Sequence, residues 1–295
     1  MKLDLSFVKA APASFRIGAS PLRDAVWFIG LAYASSWLWW IPGGLLQSNG
    51  PSTASDFLLA LGSLAPLAVA FYLNLWMGRR TFLWAQWLRT LDLRRILLVI
   101  VLPPLMLIPI TLLRFYENTL DLIKFLDDLR GALPMLAGFI LLAFGEEVGW
   151  RGFLLARLES LKLVMVNFII AFAWFGWQVP LLLTAPGEAF ANDGAQHVAA
   201  FLLYSILITP FFNRLASRAD IIVLLPTLLR ACLKTAFAIY LLQSPVDLLT
   251  HPYGLGALAW LAVLNVLFVG QLWFGRPSGQ SSELERVMPL EAEIK

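Results

Sequence analysis

The stretch AFGEEVGWRGFLLARL, residues 143–158, sets two carboxylates and Arg151 inside an apolar run, 133–156, that ends just before a second arginine, Arg157. The run is long enough to cross a bilayer core, which takes about 20 residues of helix. Glu147 and Arg151 are four apart, so on an α-helix they share a face, with the acid on the favourable N-terminal side. Glu146 lies about 100° further round, facing a different neighbour. Gly145, Gly149 and Gly152 have no side chain to hold another helix away. By insertion scales, a charge at the centre of a membrane helix costs about 2.5–3.5 kcal/mol, so this cluster needs partners or a purpose.

The rest of the chain repeats the apolar pattern. Of 295 residues 59% are hydrophobic and 14% charged, against roughly 25% charged in a soluble domain. Mean hydropathy is +0.75. Twelve Trp and 21 Phe add aromatic bulk. The composition excludes a soluble globular domain, a disordered chain and a disulfide scaffold. The lone Cys232 excludes an intrachain disulfide and a cysteine-based zinc site. A pI near 9.1 could suggest nucleic acid, but the basic residues lie between apolar spans in no continuous patch. The basic charge therefore reads as membrane topology, with the bilayer as partner and no nucleic acid.

Eight apolar runs are long enough to be spans, at 25–46, 57–77, 96–113, 133–156, 161–183, 197–213, 221–242 and 253–274. The 96–113 and 197–213 runs are short. Prolines within spans are compatible with this reading, because neighbouring helices can satisfy the carbonyls they free. With eight spans, sixteen Lys and Arg fall on one side and three on the other. The positive-inside rule then places both termini in the cytoplasm, most simply of a cell with the protein in its plasma membrane. The fold class is an all-α polytopic membrane protein: a cytoplasmic tail over 1–24, a transmembrane domain over 25–274 and a disordered polar tail over 275–295. Residues 79–91 and 114–130 read as interfacial helices, and Trp37, Trp39 and Trp40 as an aromatic belt.

Nineteen of the 22 Lys and Arg are used by the loops and tails. The other three are Arg151, Arg230 and Lys234, and the last two are again four apart within LLPTLLRACLKTAF. Two carboxylates and three cations on two spans admit two chemical readings. One is a buried salt-bridge network that fixes helix packing. The other is a catalytic or transport site. No inverted repeat accompanies the charges, as many transporters would show.

The motif Glu146-Glu147-x-x-x-Arg151 within EEVGWRG resembles the first motif of the CAAX-protease and bacteriocin-processing family, also called CPBP or Abi, which includes prenyl-protein endopeptidases. The resemblance covers residues 130–240 by motif order and the whole chain by topology. It implies a CAAX-protease-like helical bundle. The family's second motif, Phe-x-x-x-His, falls on Trp174 to Gln178, with Gln178 at the histidine position. The third, His-x-x-x-Asn, falls on Arg230 and Lys234. In the family, a glutamate, two histidines and an asparagine form the active site, described as a metal site or as a glutamate-activated water.

The substitutions change what such a site can do. Protonated Arg and Lys offer no lone pair and repel a divalent metal, so zinc is not expected and no cofactor is implied. His197 and His251 occupy no motif position and read as edge residues; Cys232 reads as packing. Arg230 and Lys234 would neutralise Glu146 and Glu147 and weaken them as bases. The favoured expectation is a degenerate, non-catalytic member that binds membrane peptides, prenylated peptides or a partner protein. The alternative is an active glutamate-dependent peptidase, with Gln178 and Arg230 donating to the developing oxyanion. A transporter is the minor alternative.

Overall fold

The computed structural model describes residues 20–47, 50, 52–77, 93–117, 122–184, 194–218, 223–243 and 254–274. The expected interfacial helix at 79–91, most of both tails and His251 lie outside these residues. No strand occurs among the described residues. The helices are α1 (Pro21–Gln47), α2 (Thr53–Trp76), α3 (Leu93–Tyr116), α4 (Leu122–Gly131), α5 (Leu133–Glu147), α6 (Leu155–Arg157), α7 (Leu163–Thr184), α8 (Gly194–Arg218), α9 (Leu224–Gln243), α10 (Leu255–Leu267) and α11 (Val269–Leu272). A π-helical segment, Val148–Leu154, joins α5 to α6.

Five stretches among the described residues are long and apolar enough to cross a membrane: Thr53–Trp76, Val99–Tyr116, Leu133–Arg157, Leu163–Thr184 and Gly194–Ala216. This is an all-helical membrane protein. The other three expected intervals are also helical but less suited by length or composition. α1 is rich in Trp, Gly and Ser, α9 carries Arg230 and Lys234, and α10 is short. The two runs expected to be short belong to longer helices, α3 and α8. Arg114 and Asn213, the polar residues at the ends of those runs, are each 1% exposed.

Local chemistry sets the helix ends and the packing. Ser52 caps α2 by accepting from the Ser55 amide at 3.1 Å. α1 begins at Pro21, where a missing N–H costs nothing, and Ser20 Oγ accepts from the Arg23 amide. Inside the spans, prolines free carbonyls four residues earlier. Pro66 frees that of Gly62, which accepts from Ser36 Oγ of α1 at 2.8 Å. Pro109 frees that of Leu105, which accepts from Trp260 Nε1 of α10 at 2.9 Å.

The expected aromatic belt is corrected in part. Trp40 is fully buried and donates to the Leu59 carbonyl, and Trp37 donates to that of Trp177, so both join α1 to its neighbours. Their ring nitrogens find acceptors inside the bundle, which frees them from the need for interfacial water. Trp39 alone of the three is exposed. Trp40, Trp177, Trp150 and Phe28 pack in sequence, with centroids 4.3, 5.5 and 5.4 Å apart. Outward-facing Val26, Leu38, Phe57, Leu141, Leu183 and Val266 give the bundle an apolar exterior suited to lipid. α5 lies between α2 on one side and α9 on the other.

Candidate functional site

Glycines position the acidic pair. A Cβ on Gly145 would stand 2.7 Å from Leu64 Cδ2 and 3.2 Å from Leu64 Cα. On Gly149 it would stand 2.5 Å from Pro66 Cβ and 3.0 Å from the Pro66 carbonyl oxygen. Gly145-x-x-x-Gly149 thus admits the α2 backbone against one face of α5 and the π segment. Glu146 and Glu147, between the two glycines in sequence, meet α9. The π segment begins at the next residue and carries Arg151. Short π segments inside α-helices often occur at functional sites.

Five charges interlock. Arg230 Nε donates to Glu147 Oε1, and Arg230 Nη1 stands 3.2 Å from Glu146 Oε2. Lys234 Nζ donates to Glu146 Oε1. Arg151 Nη1 donates to Glu147 Oε1 at 3.2 Å. The i, i+4 pairing expected of Glu147 and Arg151 is present. Glu146 does not face a separate neighbour: both glutamates reach α9, because the long Arg230 side chain spans the angle between them. The two glutamate side chains are at most 1% exposed, Arg151 is fully buried, and Lys234 is 29% exposed.

Aromatic rings complete the packing around the guanidiniums. Arg230 lies 4.6 Å from the Trp174 ring centroid and 4.8 Å from that of Phe212. Arg151 lies 4.9 Å from Phe212 as well. The π faces offset part of the desolvation of two neighbouring cations.

The network continues into residues that the sequence reading passed over. Arg151 Nε donates to Asn213 Oδ1 at 3.3 Å, Asn213 Nδ2 to Asn167 Oδ1 at 2.9 Å, and Asn167 Nδ2 to the Leu272 carbonyl at 2.9 Å. A buried polar chain therefore runs from α9 through α5 and the π segment to α8, α7 and α11. The available signal was an asparagine within an apolar run, at 167 and again at 213; attention to ionisable groups alone missed both. A second buried pair joins Arg157 to Asp24 at 3.7 Å, with the Arg157 guanidinium 4.4 Å from the Phe153 ring. Arg157, read from sequence as a topology-setting loop charge, ties the end of this span to α1.

Gln178, Arg230 and Lys234 line one cavity of about 330 Å³, together with Trp174, Tyr204 and apolar side chains. Gln178, Arg230 and Lys234 therefore converge, and the glutamates are paired with the last two. His197 is buried on α8 and Cys232 half-buried on α9; neither lines this cavity. Among the described residues no three His, Cys, Asp or Glu side chains converge as metal ligands do. Two carboxylates already bound by three cations do not fit a divalent metal, whose charge the cations would oppose.

No family model matches the chain, and no curated protein matches it.

Chemically, the arrangement holds charge in place. A general base needs a lone pair within reach of water. Here Glu146 is bound by Lys234 and Arg230, and Glu147 by Arg230 and Arg151. Glu147 Oε2 is buried without a hydrogen-bond donor among the described residues, and Glu146 Oε2 has the ion-pair contact with Arg230 Nη1.

Proposed function

We propose that this chain is a non-catalytic relative of the CAAX-type intramembrane endopeptidases, using the bundle to bind or scaffold membrane peptides or a partner protein. The observation that carries this reading is the pairing of both glutamates with cations at the places where the family has histidine and asparagine. A carboxylate pinned between guanidinium and ammonium groups is a poor base. We read the eight helical intervals as eight crossings, with both termini on the cytoplasmic side of the plasma membrane.

A second reading, an active glutamate-dependent peptidase, is favoured by one observation: Gln178 and Arg230, two donors suited to an oxyanion, line the same cavity. Incubating the purified full chain in liposomes with prenylated and unprenylated membrane peptides separates the two. The expected outcome is no cleavage by wild type, and cleavage only after Gln178→His, Arg230→His and Lys234→Asn are combined. Wild-type cleavage that is lost in Glu146→Ala would establish the second reading.

A further inference from the structure

The charge cluster is not balanced. Glu146 and Glu147 face Arg151, Arg230 and Lys234, which leaves one positive charge over. The surplus is not spread evenly. Arg151 and Arg230 are almost fully buried, whereas Lys234 is 29% exposed and lines the cavity. Glu146 Oε1 takes one of its ammonium hydrogens, and an ammonium carries three.

The remaining lining is of two kinds. Gln178, Tyr204 and Trp174 offer polar atoms, and the buried Trp174 indole N–H has no acceptor among the described residues. The other lining side chains, among them Leu181, Phe201 and Phe237, are apolar. A cavity of about 330 Å³ is at the small end of the roughly 300–1,000 Å³ range of small-molecule sites. It is too small for a helix, about 10–12 Å across with its side chains. One flexible hydrocarbon chain suits it.

We propose that this cavity binds a single-chain lipid anion, with its carboxylate or phosphate head at Lys234, Arg230 and Gln178 and its chain along Phe201 and Phe237. The proposal rests on the non-catalytic reading, since it assigns Arg230 and Lys234 to holding a ligand. A lipid anion reaches the cavity from the membrane itself, and its head compensates the surplus charge.

The test measures radiolabelled dodecanoate retained by the full chain in neutral maltoside micelles. Dodecyl phosphate competes as well, and whichever of it and unlabelled dodecanoate competes at the lower concentration identifies the head. Dodecanol and dodecyltrimethylammonium need at least about tenfold more, because they lack the charge-assisted hydrogen bonds. Acetate and inorganic phosphate do not compete, because they lack the chain. Lys234→Gln weakens retention about tenfold. Leu182 lines the cavity and belongs to none of the ion pairs, and the added bulk of Leu182→Trp abolishes retention. Equal competition by dodecanol, or full retention by a folded Leu182→Trp protein, overturns the proposal. Wild-type peptide cleavage defeats the non-catalytic reading whatever dodecanoate does. A protein that neither cleaves nor retains dodecanoate defeats this proposal alone.

Discussion

Arg230 is the residue on which the site turns. It touches both glutamates and stacks between Trp174 and Phe212, so no other side chain in the cluster has as many partners. Removing one member of a buried ion pair costs about 3–5 kcal/mol, because the survivor keeps its desolvation and loses its compensation. Glu147→Gln leaves the buried Arg151 guanidinium without its carboxylate and is expected to destabilise the protein by that amount in reversible unfolding. Adding Arg151→Met should recover most of the loss, since Glu146 keeps Arg230 and Lys234 and no buried guanidinium is left without a carboxylate. If the single and double variants unfold alike, the cluster is not a compensating network. The importance of these residues was legible in the sequence, since a charge in an apolar span stands out. Their mutual saturation was not, because spacing along one helix says nothing about how far an arginine on another can reach.

At the scale of elements, close approach and proline repair decide the packing. Gly149→Ala puts a methyl group against backbone and ring atoms of Pro66, where nothing flexible can yield. Overpacking of this kind costs about 1–3 kcal/mol, and a lowered thermal midpoint of that size is expected. The same substitution at Gly138, whose Cβ would meet nothing within 4 Å, provides the control and should leave the midpoint unchanged or slightly raised, since alanine favours the helix. Ser36 and Pro66 form a further testable pair. Ser36→Ala strands the Gly62 carbonyl and is expected to cost about 1–3 kcal/mol, but less when Pro66→Ala restores the helical N–H. Additive effects in that double-mutant cycle would mean that the hydroxyl does not serve the proline-freed carbonyl. The helices themselves could be read from apolar run length. The π segment could not, since the two glycines of VGWRGFL weaken an α-helix without specifying a π turn. The partial burial of the expected tryptophan belt was hidden too, because an indole N–H is as well satisfied by a carbonyl in the bundle as by interfacial water.

For the whole molecule, eight crossings require the two termini to lie on the same side of the membrane. Reporter fusions at residues 1 and 295 are expected to give the same cytoplasmic signal; opposite signals would remove one crossing from the count. The polar chain from Lys234 to the Leu272 carbonyl has a consequence for how the protein is made. Glu147 and Arg230 are 83 residues apart in sequence. At about 5–20 residues per second, the ribosome needs roughly 4–17 s to deliver the second after the first. Throughout that interval the glutamate-bearing span has no counter-charge from α9. Glu147 has Arg151 on its own span, but Glu146 meets its cations only on α9, so the span must remain sheltered in the insertion machinery until α9 emerges. Biogenesis is thus ordered by charge, and a chain truncated before residue 224 would expose its unmatched Glu146 to quality control.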